Sequence, residues 1–378
     1  MNVKSISGQV WNTERQQFVR AEVRWNTSGL IESIRPTTTD APWFIVPGFI
    51  DEHIHGAGGA DAMDGSVDSL NTISRELTRY GVSAYVLTTM SASHESLLQS
   101  VAAAAKYSIR EGAELLGLHL EGPYLSPQYS GAQPKIRLRP IDHEEISQLI
   151  DASGGTIRMM TVAPELPGAL ECIPWAVNHG IHINLGHTAA DYRTTRQAID
   201  QGADGITHLF NGMPSLHHRD PGPVGLALSD SRVYVEVIAD GVHICPPVIQ
   251  MTWSAAQGRV IAITDGVSAI GLAPGRHHLG EQEVIVDNRA VRLPTGSLAG
   301  SKLTLDQAYR NLMRWHIPES EIIDALSTRV ARRLGLTRQG SVSPGCYADM
   351  VLLNPDRTVH QTIVRGKICY TQTDQSLP

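Results

Sequence analysis

"PGFIDEHIHG", residues 47–56, decides how this chain is read. An apolar run ends there in Asp51, His53 and His55. Side chains alternate along an extended strand, so His53 and His55 share one face. A two-residue step is what a pair of imidazole ligands from one strand needs. Imidazole and carboxylate are the usual donors for Zn2+ or Fe2+. Taken alone, an HxH pair also describes ordinary buried histidines. The rest of the chain has to decide between the two.

Seven more apolar runs of the same kind follow: "SAYVLTTM", "LLGLHLEG", "IRMMTVAP", "IHINLGHT", "GITHLFNG", "VYVEVIADG" and "VIAITDGV". Runs of this type suit parallel strands covered on both faces. Most are followed by a helical stretch. In "TAADYRTTRQAIDQG" the pattern predicts Thr188 as N-cap, with Asp191 three residues on and Gly202 near the end. Eight strand–helix units predict an α/β fold, a (β/α)8 TIM barrel of roughly 250 residues. Residues 1–46 and 347–378 instead carry short alternating runs, read as strands joined by turns. The expected organisation is a small β-domain built from both termini (1–46 plus 347–378), flanking a metal-dependent barrel over 47–346. A hairpin-like piece at about 276–293 interrupts the barrel after its last strand.

The chain has 378 residues, 42% of them hydrophobic, enough for a large core and more than one domain. A net charge of −7 gives no sign of a nucleic-acid or membrane surface, so an anionic substrate has to be held by a few local groups. No apolar run approaches the ~18 residues of a membrane span. The opening "MNVKSISGQV" lacks the apolar core of a signal peptide. Cys172, Cys245, Cys346 and Cys369 are scattered without a CxxC pair and read as reduced thiols of a cytoplasmic protein.

Polar residues recur at the C-terminal ends of the runs: Asp51, His53 and His55 on the first, His119 and Glu121 on the third, His187 on the fifth, His208 on the sixth, Asp265 on the eighth. Barrel enzymes place their chemistry at that rim. Four histidines with Glu121 and Asp265 suffice for two ions bridged by one carboxylate. Their joint placement at strand ends outweighs the reading of unrelated core histidines. His182 lies five residues before His187 and faces the other way on one strand. His94, His143, His277 and His278 fall in predicted helices or loops at the surface. His119 shares parity with Glu121, and its role stays open between ligand support and packing.

"PGFIDEHIHGAGGADAMDG", "GLHLEGPYLSPQYSGAQ", "INLGHTAADY", "THLFNGMPSLHHRDPG", "IADGVHI", "ITDGVSAIG" and "GSLAGSKLTLDQA" resemble the motif series of the N-acetylglucosamine-6-phosphate deacetylase family of the amidohydrolase superfamily. The resemblance runs in order from about residue 47 to 350. It implies a barrel with a β-sandwich made from both termini, and a homodimer. It implies that Glu121, His187 and His208 are metal ligands, that His53 and His55 are the pair kept by two-metal members, and that Glu121 bridges while Asp265 touches the first ion. Two divalent ions per chain follow, Zn or Fe foremost, with Co or Mn also suited. Other amidohydrolases bridge their ions with a carboxylated lysine on strand 4; "IRMMTVAPE" has none, which argues against the hydantoinase and dihydroorotase branches.

By the same resemblance Asp265 is the catalytic base, then acid. His243 polarises the substrate carbonyl, and Asn211, Gly212 and Arg219 hold the phosphate with His218 beside them. Gln133 stands where some members have a sugar-contacting histidine, so the sugar epimer is left open. The implied reaction is hydrolysis of the N-acetyl group of a phosphorylated amino sugar. The alternatives are the galactosamine epimer or another N-acyl amino sugar, and a non-catalytic sugar-phosphate sensor. An intact Asp265 beside a full ligand set speaks against the sensor, because a binder needs no base.

Overall fold

The apolar runs pair with one another in chain order. The computed structural model describes residues 4–108 and 111–372. In it they form one parallel sheet: β1 (Phe49–Ile54), β2 (Val82–Thr89), β3 (Glu114–Glu121), β4 (Ile157–Val162), β5 (His182–Leu185), β6 (Gly205–Ile206), β7 (Tyr234–Ile238) and β8 (Val260–Ile263). β1 and β2 are buried along their whole length, which is why they read as continuous apolar runs without alternation. The outer strands then meet. The Asp265 amide donates to the His53 carbonyl at 2.9 Å, and the His55 amide donates to the Gly266 carbonyl at 2.7 Å. The sheet is therefore a closed barrel, and a helix follows each strand, from Val67–Thr78 after β1 to Leu305–Arg314 before the C-terminal segment.

The helix after β5 spans Tyr192–Asp200, and its N-cap is Asp191, not Thr188 as the sequence predicted. The Asp191 carboxylate accepts the Thr194 amide at 2.7 Å. Thr188 is still in the loop, where its hydroxyl donates to Glu165 at 2.5 Å and accepts the Ala190 amide at 2.9 Å. A second correction concerns "PGFIDEHIHG", where the apolar run reads as the end of one continuous strand. Phe44–Pro47 belongs to the small sheet and β1 starts at Phe49. The Gly48 amide bonds the Asp349 carbonyl and the Phe49 amide bonds the Gly81 carbonyl, so the ladder partner changes within one residue. A side chain at 48 would strike the Ser83 hydroxyl, with a Cβ only 2.2 Å from it.

The two termini build one seven-stranded sheet. Lys4–Asn12, Gln17–Trp25, Ile31–Pro36 and Phe44–Pro47 come from the front of the chain; Met350–Leu353, Val359–Val364 and Lys367–Thr371 come from the back. Phe44–Pro47 joins the halves, pairing parallel with Lys4–Asn12 and antiparallel with Met350–Leu353. Val23, Trp25 and Ile31 share a core there with Met350 and Leu352. The predicted hairpin is a three-stranded sheet, Gly275–Leu279, Gln282–Val286 and Val291–Arg292. Its apolar side packs on Met90 and Val267 near the barrel mouth. Among the described residues no helix is long and apolar enough to cross a membrane.

Asp51 is a closure residue rather than a rim ligand. Its carboxylate accepts the Thr264 hydroxyl at 2.6 Å and the Thr264 amide at 3.3 Å, tying β1 to the residue after β8. Burial pushes this acid up to about 7 in spite of those bonds. Asp51→Ala is expected to cost about 1–3 kcal/mol by leaving buried donors unpaired. Thermal unfolding measures this, and an unchanged melting temperature would show that the seam does not need the carboxylate.

Candidate metal centre and active site

Strand ends place the site. His53 and His55 lie at the end of β1 and Glu121 ends β3. His187, His208 and Asp265 each come two residues after β5, β6 and β8. All three hold a left-handed backbone, with φ of +45°, +29° and +49°. A non-glycine residue there costs on the order of 1–3 kcal/mol, and such strain gathers where a site over-determines it. Gly212 makes room for His187: a Cβ on it would lie 2.8 Å from His187 Nδ1, and its own φ is +63°.

The four imidazoles converge on one carboxylate. Glu121 Oε1 lies 3.1 Å from His208 Nε2, 3.2 Å from His187 Nε2 and 3.7 Å from His53 Nε2; Oε2 lies 3.3 Å from His55 Nε2. Asp265 Oδ1 is 3.1 Å from His55 Nε2 and 3.5 Å from His53 Nε2. The donors form two overlapping triads, His53–His55–Asp265 and Glu121–His187–His208. Two donors held tetrahedrally about 2.0–2.1 Å from one Zn2+ stand about 3.3 Å apart, which is the spacing observed. Two features fit an ion. His53 Nε2 is buried with no hydrogen-bond partner, and the Nε2 atoms of His187 and His208 face each other at 3.1 Å.

The opposite ring nitrogens are all anchored. His55 Nδ1 faces the Thr88 carbonyl at 3.1 Å, His187 Nδ1 the Tyr129 carbonyl at 2.8 Å and His208 Nδ1 the Asn211 carbonyl at 3.2 Å. His53 Nδ1 faces Glu236 Oε2 at 3.0 Å. Such outer partners fix the tautomer and aim Nε2 inward. Glu236 was missed in the sequence, where its signal was a lone acid inside "VYVEVIADG". His119 is packed edge-on against His53, ring centres 4.8 Å apart, and is held by Thr161 at 2.7 Å. Burial, with the cationic neighbours, keeps it well below the usual histidine range. It supports His53 from behind as a neutral ring.

Without an ion, protons take its place. Burial opposes the charge on His55, but Asp265 and Glu121 outweigh it and lift the ring to about 9. Burial likewise opposes ionisation of Glu121, yet the surrounding imidazoles hold it well below the carboxylate range. The cluster is an anionic cradle that demands positive charge.

His55, Glu121, His187, His208 and Asp265 line a cavity of about 200 Å3 at the barrel mouth. His243, Asn211 and Gly212 line it too. His243 Nδ1 is committed to Asp240 at 2.7 Å, which leaves Nε2 as its free nitrogen. Gln133 also borders the cavity, with its amide engaged: Nε2 donates to Glu121 at 2.8 Å and Oε1 accepts the Ser91 amide at 2.8 Å. His218 and Arg219 are exposed on the loop that follows His208, outside the cavity lining, 2.9 Å from each other. Met90, Leu279 and Leu298, not singled out in the sequence, supply apolar walls. His182 faces away, as its parity required, and pairs with Asp204 at 2.7 Å.

A closed parallel barrel whose rim gathers imidazoles and carboxylates into two adjoining triads defines a metal-dependent hydrolase. The sequence profile of the Amidohydrolase family matches residues 44–369, and the chain belongs to that family. It is 40% identical to the N-acetylglucosamine-6-phosphate deacetylase of Vibrio furnissii over 87% of this chain and 84% of that protein. It is 38% identical to the N-acetylgalactosamine-6-phosphate deacetylase of Escherichia coli O157:H7 over 90% and 92% of the two chains. Among solved structures, a variant of the Mycobacterium smegmatis N-acetyl-D-glucosamine-6-phosphate deacetylase bound to N-acetyl-D-glucosamine-6-phosphate superposes with a TM-score of 0.91 at 31% identity, covering 98% of this chain and all of that one.

The charge balance sets a pH dependence. The His55 pKa is raised on folding, from an unfolded value near 6.5 to about 9. In metal-free protein its contribution to stability is therefore complete below about pH 6.5 and is lost as pH rises through about 9. Metal requires the neutral ring, so affinity for an ion rises over the same window. The melting temperature of chelator-stripped protein should fall between pH 6.5 and 9 while the gain on adding Zn2+ grows; parallel curves with and without metal would contradict this balance.

Proposed function

We propose that this enzyme hydrolyses the N-acetyl group of N-acetylglucosamine-6-phosphate, giving glucosamine-6-phosphate and acetate. The observation that carries the reading is the gathering of six ligand-type donors into two adjoining triads, five of them lining one cavity with His243, in a chain similar over most of its length to deacetylases of this substrate. His53, His55 and Asp265 would hold one divalent ion and Glu121, His187 and His208 a second, with Glu121 shared. The donor set suits Zn or Fe, and also Co or Mn. Ions held there supply Lewis acidity, bringing the pKa of water down toward about 7 and polarising the amide carbonyl.

The chain's own groups do the rest. Asp265 takes a proton from the attacking water, and the water oxygen bonds to the carbonyl carbon. When the C–N bond breaks, Asp265 returns that proton to the leaving amine. His243 has Nδ1 on Asp240, which leaves Nε2 to face the substrate carbonyl and polarise it. Asn211, Gly212, His218 and Arg219, on one loop, take the phosphate, and the Arg guanidinium suits two phosphate oxygens at once. Anchored there, the substrate uses binding energy remote from the bond to orient its amide. The working form in this reading is a cytoplasmic homodimer.

The second reading is the galactosamine epimer, favoured by the 38% identity to a deacetylase of that sugar over nine-tenths of both chains. Acetate release from both phosphorylated epimers, on protein of measured metal content, separates the two. Close to two ions per chain and a higher kcat/KM on the glucosamine epimer are expected. The reverse preference selects the second reading, and no acetate from either defeats both. In the same assay Asp265→Asn should keep bound metal and lose about 10²–10⁴-fold in kcat; near-normal turnover would remove Asp265 from the proton transfers.

Arg219→Ala should raise KM for the phosphorylated sugar with little change toward the unphosphorylated amide. An equal loss on both substrates would remove Arg219 from phosphate binding.

A further inference from the structure

Three of the four converging imidazoles rest their Nδ1 on backbone carbonyls. His53 alone rests on a side chain, the fully buried carboxylate of Glu236 in the middle of β7. The other oxygen, Oε1, accepts from Asn184 Nδ2 at 2.6 Å, and Oε2 also receives the His208 amide at 3.3 Å. Arg333 lies 4.0 Å from Glu236, bonds Asn184 Oδ1, and pairs with Glu52 at 2.7 Å and Asp204 at 3.0 Å. Glu236 thus accepts from three donors beside a buried guanidinium, and nothing in the proton transfers above uses it.

We propose that Glu236 is a positioning residue that sets the affinity of the His53–His55–Asp265 ion position separately from the Glu121–His187–His208 position. This rests on the two-ion reading. A carboxylate on Nδ1 holds His53 in the tautomer whose Nε2 lone pair faces the cluster, and it strengthens that nitrogen as a donor. Asn184 Nδ2 and His53 Nδ1 both need an acceptor, and glutamine at 236 has one oxygen for the two. If the amide nitrogen turns to His53, the ring takes the Nε2–H tautomer and cannot bind an ion. The Glu121–His187–His208 position has no such dependence, because its Nδ1 partners are peptide carbonyls and its link to Glu236 is a single long amide contact.

The test is Zn2+ titration of chelator-stripped protein with metal analysis. Wild type should take close to two ions. Glu236→Gln should hold one ion with wild-type affinity and bind the other about 10–100-fold more weakly, the retained ion reporting an intact fold. His53→Asn should give the same one-ion protein, and the double variant should lose nothing further, because both changes act through one imidazole. Both ions kept at wild-type affinity, both weakened in parallel, or additive losses would each overturn the proposal. Should Glu236→Gln not fold, Glu236→Asp, which keeps the charge but shortens its reach, is titrated instead. Selective weakening of one ion supports the proposal; wild-type or parallel behaviour overturns it. A wild type holding one ion that is indifferent to His53→Asn would defeat the two-ion reading itself, and the proposal with it.

Discussion

The seam between the first and last barrel strands is the constraint on which the site depends. The Asp265 amide bonds the His53 carbonyl, the His55 amide bonds the Gly266 carbonyl, and Asp51 holds Thr264. Residues some two hundred positions apart in sequence are thereby locked edge to edge. The seam makes His53, His55 and Asp265 neighbours through the backbone before any ion or side-chain contact is considered. An open sheet with the same strands would leave the two carboxylates on opposite margins.

Closure also concentrates charge in the buried interior of the barrel. Buried carboxylates and imidazoles are costly unless each is paired. Here pairing continues outward in layers: Glu121 with the imidazoles, His53 with Glu236, Glu236 with Asn184, and Arg333 with Glu52 and Asp204. Arg333 additionally lies over the Tyr234 ring at 5.4 Å. The barrel interior near the site is therefore an ionic network ending at the half-exposed His182–Asp204 pair. Such a network resists rearrangement, since moving one member strands the next, and this rigidity preorganises ligands that would repel or collapse if free to move.

What the sequence disclosed follows from period and parity. Eight apolar runs, with polar residues at their C-terminal ends, were enough for the barrel and for all six converging donors, because strand periodicity fixes which residues share a face. Asp51 was seen but not its duty, since nothing local says that an acid two residues before a histidine will reach across to Thr264. Glu236 and Arg333 escaped because their partners are distant in sequence and a lone charge in an apolar run has no period. The cap moved from Thr188 to Asp191 because the helix begins only at Tyr192, while Thr188 bonds Glu165 and the Ala190 amide within the loop. Pairing direction was equally invisible at Pro47–Gly48, where one run serves two sheets.

The two halves of the cavity differ in how firmly they are built. The donor half hangs on strand ends, with each ring fixed at both nitrogens or faces. The other half is made by loops and by the inserted three-stranded sheet: Gln133, Asn211, Leu279, Ser297 and Leu298 all come from segments outside the barrel strands. Loops carry changes that a closed barrel cannot absorb. Relatives at 38–40% identity bear the names of deacetylases of different epimers. In the proposed reading, the choice between epimers falls to the loop half, where a buried polar group left without its partner costs enough to reject the wrong one. Gln133 is the point where the halves touch. Its amide donates to Glu121 from the cavity wall, so a change there alters the donor cradle and the loop-built side of the cavity together.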